Sequence, residues 1–334
     1  MSERRLRYRD LDAPFHGVRV RADAVAYAAE AARAEAVHDA SPAAIAARFH
    51  RTAILVRARA YAQVAPPHAF FQGVTAGVIW DVPLPLRSLN PEAHARLHRR
   101  QGISLDGDPP RLLDVAVLAP HRASRAAGVH GRQLSEAMTS VQIQSGLRVV
   151  SPATLWAQLG DELTADELIA VGDALVHEAR SRGGRRSRAG VGHTTIARLE
   201  AALYAGRRVG AAKLREALPQ IRVGSASQPE TDLRLALVRG GLPEPTLDFD
   251  VVGLRGEPIG YTEIAYPDHR VLVEYEGDHH RIDRAQWHRD IEKHAHAAAA
   301  GWIVLRITSS HLYPRPEAAV RQVRDALLRA GWRP

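Results

Sequence analysis

The chain contains no cysteine, which excludes disulfide bonds and thiolate metal sites. It also has no uninterrupted apolar run of roughly 18–20 residues, the length that crosses a bilayer. The first residues, MSERRLRYRDLD, are too charged for a secretory signal. We therefore expect a cytoplasmic protein with no membrane partner, in which only aspartate, glutamate and histidine side chains could bind a metal ion.

Basic residues outnumber acidic ones, 45 to 37, and give a net charge of +8 and an isoelectric point near 10.2. Most of this positive charge comes from arginine, whose planar guanidinium suits phosphate groups. The balance favours a nucleic-acid partner over an acidic small substrate. Arginine-rich composition also arises when the coding DNA is GC-rich, so charge alone leaves both explanations open.

The length of 334 residues predicts two or three domains. Shifts in composition divide the chain into the segments 1–105, 106–222 and 223–334. We predict a mostly helical first segment, a middle α/β segment, and a C-terminal mixed sheet flanked by helices. The expected fold class is therefore α/β in the broad sense, or α+β.

Three helix starts carry N-cap signals: Ser41-Pro42, Ser151-Pro152 and the capping box of Thr164 and Glu167. The alanine-rich residues 22–50 are helical in pattern and contain no breaker outside the Ser-Pro signal. Residues 111–120 are typical of a strand. Residues 151–179 are expected to be helical, with Thr164 as the N-cap of the helix that starts inside this range.

Residues 180–192 interrupt this pattern with five arginines and four glycines. We interpret them as a mobile basic loop, for which a solvated linker and a phosphate-binding role are the two readings. If DNA is the partner, arginines of this loop and a later arginine pair would hold its backbone. These residues are Arg182, Arg185, Arg186, Arg188, Arg207 and Arg208.

The C-terminal segment has the clearest order of elements, α-β-β-β-α-β-α. The expected elements are a helix at 229–241, strands at 247–253, 259–267 and 270–277, a helix at 284–302, a strand at 302–308 and a helix at 316–331. A hairpin-like start followed by a β-α-β crossover predicts a mixed sheet with helices on both faces. On the long helix, apolar spacing predicts one buried face, made of Trp287, Ile291, His294, Ala295 and Ala298.

Acidic side chains are concentrated where the third of these strands ends, in the stretch VLVEYEGDHH. Glu274 and Glu276 share one face of that strand because side chains alternate, and Glu263 lies near the middle of the preceding strand. If the two strands are neighbours, the three carboxylates can converge on Mg²⁺ or Mn²⁺. A metal ion placed there can polarise a phosphodiester and supply hydroxide.

Two imidazoles extend this cluster, because His279 and His280 directly follow the strand. Either side chain could act as a general base or contact phosphate. A pair of acids at a strand end is also ordinary surface charge, and that interpretation stays open. On the long helix, His288, His294 and His296 are interpreted as surface or core groups.

The C-terminal third of the chain resembles a restriction-endonuclease-fold, PD-(D/E)XK, domain of the very-short-patch-repair type. The matching stretches are PETDLRLAL, GYTEIAYPDHRVLVEYEGDHH and RDIEKHAHAAAAGWIVLRIT. The resemblance implies metal-dependent cleavage of DNA, with Glu263, Glu274 and Glu276 as metal ligands. It also implies that His280 occupies the family's histidine position and that Glu230 is its helix carboxylate.

Two positions depart from the usual pattern of this family. Glu263 stands where aspartate is usual, and Glu276 stands where many nucleases of this fold keep a lysine. Lys293, on the following helix, is interpreted as a solvated residue, with an inward-reaching replacement lysine as the alternative. These departures are compatible with altered metal geometry or with a domain that binds DNA without cutting it.

The N-terminal two-thirds of the chain resembles the AbiEi antitoxin family, in the region that precedes such nuclease domains. The matching stretches are FFQGVTAGVIWDVPLP, LLDVAVLAP, GLRVVSPATLWAQL and ADELIAVGDAL. In that family an N-terminal winged helix binds DNA. The resemblance therefore implies a DNA-binding region within residues 1–105, and it raises the expectation of a toxin partner.

These features lead to two main functional expectations. The first is a DNA endonuclease that depends on Mg²⁺ or Mn²⁺ and serves repair or defence. The alternative is a catalytically inactive DNA-binding regulator of the type IV antitoxin class, since a fold does not fix a function. A third, weaker interpretation is an antitoxin that acts only by binding a toxin. No recognisable motif specifies a cleavage site or an oligomeric state.

Overall fold

The computed structural model describes residues 11–21, 41–98, 111–180, 192–276 and 284–334, with the backbone alone for residues 93, 96–98 and 284–290. The helix expected over 22–40 lies outside these ranges. The chain divides into two compact units, the first within Met1–Leu168 and Ile196–Leu218 and the second within Ile169–Thr195 and Pro219–Pro334. No helix in the described ranges is long and apolar enough to cross a membrane.

Helices and two small sheets make up the described residues before Gln220. The helices are α1 (Pro42–Ala62), α2 (Gly73–Ile79), α3 (Leu86–Leu89), α4 (Pro91–His98), α5 (Pro152–Leu159), α6 (Ala165–Val176), α7 (Ile196–Tyr204) and α8 (Ala211–Ala217). The strands are β1 (Leu11–Asp12), β2 (Val20–Arg21), β3 (Phe70–Phe71), β4 (Leu113–Leu118), β5 (Val129–Leu134), β6 (Val141–Gln144) and β7 (Leu147–Val150). Strands β1 and β2 pair with each other, and the others form a mixed sheet in the order β5-β4-β3-β7-β6.

The three N-cap signals of the sequence are confirmed. The Ser41 hydroxyl accepts a hydrogen bond from the Ala44 amide at 3.3 Å, which starts α1. Ser151 caps α5 in the same way. At the start of α6, the Thr164 amide donates to the Glu167 carboxylate at 2.9 Å, and the Glu167 amide donates to the Thr164 hydroxyl at 3.3 Å. Each cap satisfies amides that have no partner inside the helix.

The helical prediction for 151–179 is confirmed as far as Val176, in the form of two helices, α5 and α6, the second of which starts at the predicted cap Thr164. Gly160 ends the first of them, and an added Cβ there would lie 2.8 Å from the Leu214 side chain. The fully buried Trp156 holds the two helices together by donating its ring N–H to the Leu168 carbonyl at 2.9 Å. The capping box of Thr164 was itself the sequence signal for this break.

The second unit contains a four-stranded sheet with helices on both faces. Its remaining helices are α9 (Gln228–Arg239), α10 (Arg284–Ala299), α11 (Ser309–Leu312) and α12 (Glu317–Arg329). Its strands are β8 (Thr246–Val252), β9 (Pro258–Tyr266), β10 (Val271–Glu276) and β11 (Ile303–Thr308), in the order β11-β10-β9-β8. Strands β8, β9 and β10 are antiparallel, and α10 leads to β11, which is parallel to β10. The predicted order of elements and the α+β class are confirmed.

Each face of this sheet packs against its own helices. Ile264, Val271 and Val273 point to one face, where they contact buried leucines of α9 and α12. Ala265 and Leu272 point to the other face, where they contact Ala297, Ala300 and Trp302 at the end of α10. Because β9 and β10 are covered on both sides, a polar side chain on either strand enters a buried environment.

The face predicted for the long helix is wrong at three of its five residues: Ile291 is 46% exposed, and Ala295 and Ala298 are also exposed. His294 of the predicted face does face the sheet, together with Ala297, Ala300 and the half-buried Lys293. The side chain of Trp287 lies outside the described residues. The large apolar side chain of Ile291 lies on the side away from the sheet, and apolar spacing therefore led to the wrong side at this position. The side that faces the sheet carries small residues and two polar residues that bind Glu274.

A buried ion pair fixes the start of α9. The side chains of Asp173, on α6, and Arg234, on α9, are 1% and 2% exposed, and their Oδ2 and Nη2 atoms lie 3.2 Å apart. Asp173 also accepts hydrogen bonds from the Thr231 hydroxyl at 2.9 Å and the Arg222 amide at 2.7 Å. Burial raises the pKa of Asp173, whereas Arg234 and these donors lower it. Removing one partner would therefore leave the other charge buried and unpaired.

We expect Asp173→Asn to reduce the free energy of unfolding by about 3 kcal/mol, because it leaves the Arg234 guanidinium without a counter-charge. The matched control is Glu244→Gln, which removes a 42% exposed carboxylate lying 3.5 Å from the same arginine. The control should cost at most about 1 kcal/mol. Urea denaturation followed by circular dichroism measures both losses, and equal losses would contradict the role given to Asp173.

Candidate functional site

Glu263 lies where strands β9 and β10 stop pairing. The backbone ladder between these strands ends with Val273 opposite Ile264, so the same register would place Glu274 opposite Glu263. Instead, the Glu263 Oε2 atom accepts a hydrogen bond from the Tyr275 amide at 2.7 Å. The Glu263 carboxylate thus accepts a hydrogen bond that a backbone carbonyl would accept in a regular sheet. It is held between the two strands on the side of α10.

The surroundings of Glu263 oppose its negative charge. Burial raises its pKa most, and the nearby carboxylates of Glu230 and Glu274 raise it further, to about 8. The Tyr275 amide and the Lys293 ammonium act in the opposite direction without cancelling this effect. The Glu263 Oε1 atom accepts no hydrogen bond from any residue that the structure describes. The site therefore has a carboxyl oxygen without a hydrogen-bond donor among the described residues, and a negative potential that Lys293 offsets only in part.

Glu230 reaches this site from the first turn of α9. Ser227 caps the helix and also donates its hydroxyl to Glu230 Oε1 at 2.8 Å, and the Ala226 amide donates to Oε2 at 2.7 Å. Glu230 is 8% exposed, and burial raises its pKa. The carboxylate predicted on this helix thus has a fixed orientation and contributes to the charge felt by Glu263.

Glu274 is bound by two basic side chains of α10, Lys293 and His294. Its Oε1 atom lies 2.5 Å from Lys293 Nζ, and its Oε2 atom lies 2.6 Å from His294 Nε2. Burial alone would raise the pKa of Glu274, but the hydrogen bond from His294 and the charge of Lys293 hold it below its usual value. Glu274 is therefore an anion at neutral pH, in contrast to Glu263.

The interpretation of Lys293 as a solvated residue is wrong. Its ammonium group donates to the Tyr261 carbonyl at 3.2 Å as well as to Glu274. Gly260, with φ +157°, makes room for the lysine stem, since a Cβ there would lie 3.0 Å from Lys293 Cδ. His294 was interpreted only as a surface or core group, and its contact with Glu274 went unpredicted. One available signal was composition, because Lys293 is one of only two lysines among 45 basic residues.

Glu276 is not part of the group formed around Glu263. Alternation places it on the same face as Glu274, as predicted, but its carboxylate pairs with Arg306 of β11. It is also absent from the charges that shift the pKa of Glu263. The carboxylates that the fold brings together are therefore Glu230, Glu263 and Glu274. Among the described residues, no three histidine or acidic side chains have the geometry of a metal site.

Several residues assigned from the sequence lie outside the described ranges: His279, His280, Arg182, Arg185, Arg186 and Arg188. Their proposed roles stay predictions. Arg207 is exposed in the first unit, whereas Arg208 is half-buried and donates to the carbonyls of Ala202 and Met138 at 3.0 and 2.9 Å. The guanidinium of Arg208 thus already holds two backbone segments together.

The prediction of a mobile loop over 180–192 is wrong at its first residue. Arg180 pairs with Asp248 and Asp250, and its guanidinium lies 4.5 Å from the ring centroid of Tyr261. At the other end, Gly192 packs so closely on α6 that an added Cβ would lie 2.7 Å from the Val176 carbonyl. The residues flanking the basic segment are thus both fixed within the second unit.

The donor atoms at this site suit a small divalent cation. Mg²⁺ and Mn²⁺ prefer carboxylate oxygens, and Mg²⁺ is usually held by one or two carboxylates together with waters and substrate phosphates. Glu263 offers a free Oε1 atom, and Glu230 adds a second negative charge beside it. A cation between them would relieve the repulsion that raises the pKa of Glu263.

Two curated proteins of Mycobacterium tuberculosis resemble part of the chain. No protein-family model and no solved structure matches the chain. Two curated relatives, the uncharacterized proteins MT2308 and Rv2248 of Mycobacterium tuberculosis strains CDC 1551 / Oshkosh and ATCC 25618 / H37Rv, are each 30% identical over 125 residues. The similarity covers 37% of this chain and 45% of each relative, so the chain spans less than half the length of the relatives it matches.

Proposed function

We propose that the second unit is a metal-dependent endonuclease that hydrolyses phosphodiester bonds of DNA. The observation that carries the proposal is the half-buried Glu263 carboxyl, which lies among the charges of Glu230, Glu274 and Lys293. Strongly perturbed carboxyls of this kind are concentrated at functional sites. The resemblance of the same strands and helix to very-short-patch-repair nucleases points to the same chemistry.

Each side chain has a distinct role in this proposal. Glu263 and Glu230 bind the cation, which when present supplies an activated water and polarises the phosphate. Glu274 orients Lys293, whose ammonium has three N–H groups and uses two of them on Glu274 and Tyr261. The third N–H is available to a phosphate oxygen, where a fixed positive charge stabilises the developing negative charge.

DNA is the proposed substrate because of charge. The chain has a net charge of +8, and its basic residues are nearly all arginine. Arginine contacts to phosphate position a duplex without reading its sequence. Arg207 and the arginines of the basic segment retain this proposed role, and a steep loss of affinity with salt is expected.

A non-catalytic DNA-binding regulator is the second candidate, and one observation favours it. Both oxygens of Glu274 are already bound by Lys293 and His294, and Glu276 is bound by Arg306. A site so neutralised could be a stable core feature rather than a metal centre. In this reading the protein would bind DNA, and a toxin partner, through surfaces outside this site.

Cleavage of supercoiled plasmid with Mg²⁺ or Mn²⁺ separates the two candidates. We expect Glu263→Gln and Lys293→Met each to reduce the cleavage rate by about 100-fold or more, because each removes a group that acts on the reacting phosphate or its cation. The matched control is Glu292→Gln, an exposed acid next to Lys293 on the same helix. The control should cleave at the parent rate.

Two outcomes of this assay would contradict the endonuclease. One is DNA binding by the parent with no cleavage under either metal, which supports the regulator. The other is equal cleavage by the parent and by all variants, which assigns the activity to a contaminant. Glu276→Gln adds a further test, since the pairing with Arg306 predicts that this variant keeps most of the activity.

The proton on Glu263 gives a test that does not depend on activity. In the folded protein this carboxyl has a pKa of about 8, against 4.5 for an ordinary glutamate. At pH values between these two pKa values, the folded state holds one proton more than the unfolded state. The stability gained from this proton is fully present below the lower pKa and is lost as the pH rises through the higher one. We expect Glu263→Gln to melt several degrees above the parent near pH 8.5, with little difference near pH 5.

Added Mn²⁺ should replace that proton. At about pH 8.5 it is expected to raise the melting temperature of the parent, since a ligand that binds only the folded state stabilises it, and to raise that of Glu263→Gln much less. Differential scanning fluorimetry over a pH series measures both effects. A melting difference that does not vary with pH would exclude the buried proton, and an equal Mn²⁺ effect on both proteins would exclude Glu263 as a ligand.

A further inference from the structure

Exposed basic side chains are grouped along the edge strand of the sheet in the first unit. Residues 115–135 include His121, Arg122, Arg125, His130 and Arg132, and they contain no aspartate or glutamate. They form the end of β4, the connection that follows it, and the edge strand β5. We call Arg122, Arg125 and Arg132, with the segment 119–134 that carries them, the β5 edge.

The three arginines of the β5 edge are not engaged elsewhere. All three are exposed, and none forms a hydrogen bond or an ion pair with any residue in the described ranges. Other arginines of the same unit behave differently: Arg51 pairs with Asp81, and Arg87 pairs with Glu167. The positive charge of the β5 edge is therefore available to a partner.

The backbone that carries these arginines is firmly held. The Gln133 side chain donates to the His121 carbonyl at 2.7 Å, and the Tyr61 hydroxyl donates to the Ser124 hydroxyl at 3.1 Å. Ser124 also crosses directly over Gly131, where a Cβ would lie 2.1 Å from the Ser124 carbonyl oxygen. Binding through this surface would not require the connection to be ordered first, which lowers the entropic cost of association.

A further contact holds the start of the connection. The rings of His68 and His121 are stacked, with centroids 3.8 Å apart and an angle of 11° between their planes. His68 lies just before β3, so the connection is attached to the sheet at both His121 and Ser124. The spacing between the arginines is consequently a property of the folded unit.

We propose that the β5 edge binds the phosphate backbone of DNA. Arg122 and Arg125 are three residues apart, at most about 11 Å along the chain. Consecutive phosphates of one strand lie farther apart than their rise of about 3.4 Å along the duplex axis, because the strand winds around that axis, so this pair can contact neighbouring phosphates. Guanidinium groups match phosphate oxygens in bidentate geometry, and such contacts position a duplex without reading its bases.

An acidic protein is the competing partner, and the surface fits it less well. Specific protein interfaces have an apolar core surrounded by a polar rim. None of the described large apolar residues between Leu112 and Ile143 is exposed, so the β5 edge presents charge without such a core. This proposal rests on DNA as the proposed substrate of the protein, but not on catalysis.

Binding of a fluorescent duplex in EDTA, over about 50 to 200 mM KCl, tests the β5 edge. We expect the combined variant Arg122→Ala, Arg125→Ala, Arg132→Ala to bind at least tenfold more weakly near 100 mM KCl, and the slope of log K against log salt to become shallower by about 3. The matched control is Arg315→Ala, Arg321→Ala, Arg329→Ala, which removes three exposed charges from the second unit. The control should keep the parent slope.

Several results would overturn the proposal. The first is an unchanged affinity and salt slope in the β5-edge variant. The second is an equal loss of DNA affinity in both variants, which would attribute the effect to net charge alone. The third is tighter binding of polyglutamate than of DNA. Replacement of the same three arginines by lysine should preserve most of the affinity, which separates lost charge from lost folding. Plasmid cleavage is measured separately. Binding that depends on the β5 edge without any cleavage supports this proposal and contradicts the endonuclease. Cleavage with binding that does not depend on the β5 edge supports the endonuclease and contradicts this proposal.

Discussion

The hydrogen bond from the Tyr275 amide to the Glu263 carboxyl is the contact on which the candidate site depends. It occurs where β9 and β10 separate, and it draws a carboxyl group into the space that a backbone carbonyl would otherwise fill. There the carboxyl group is half-buried and close to Glu230 and Glu274, and its pKa is raised. The strands remain regular up to Ile264 and Val273, so the irregularity is confined to the end of the sheet that carries the acids.

Two helices and two strands position these charges. The start of α9 presents Glu230, the two strands present Glu263 and Glu274, and α10 presents the basic groups that neutralise Glu274. The result is a pair of neighbouring carboxyls in different states, one anionic and one protonated. Two titratable groups whose surroundings separate their pKa values are a usual basis for acid–base and metal chemistry.

Local sequence rules predicted most of the second unit. Its order of elements and its mixed sheet followed from strand patterns, from Pro and Gly at helix ends and from the crossover rule, and all are present. Caps were equally reliable, because the atoms involved are three residues apart. The division of residues 151–179 into two helices followed from such a cap, since the capping box of Thr164 and Glu167 marks the start of the second helix.

The site was predicted less completely, because its contacts join residues distant in sequence. Alternation correctly put Glu274 and Glu276 on one face, but the choice between them depends on Lys293 of α10 and Arg306 of β11. Helical spacing favoured Ile291 as a buried residue, since no local rule shows that the facing sheet carries acids. Lysine scarcity and the resemblance to nucleases that keep a lysine both singled out Lys293, but neither identifies its contact partner.

Alanine at positions 297 and 300 has an electrostatic consequence. These side chains are the points where the end of α10 touches the sheet, and their small size lets the helix axis lie close to β9 and β10. Lys293 and His294 belong to the same helix, so the closeness of that packing sets the distance of both side chains from Glu274. The small size of these two alanines thereby affects how much of the negative charge around Glu263 and Glu274 is neutralised.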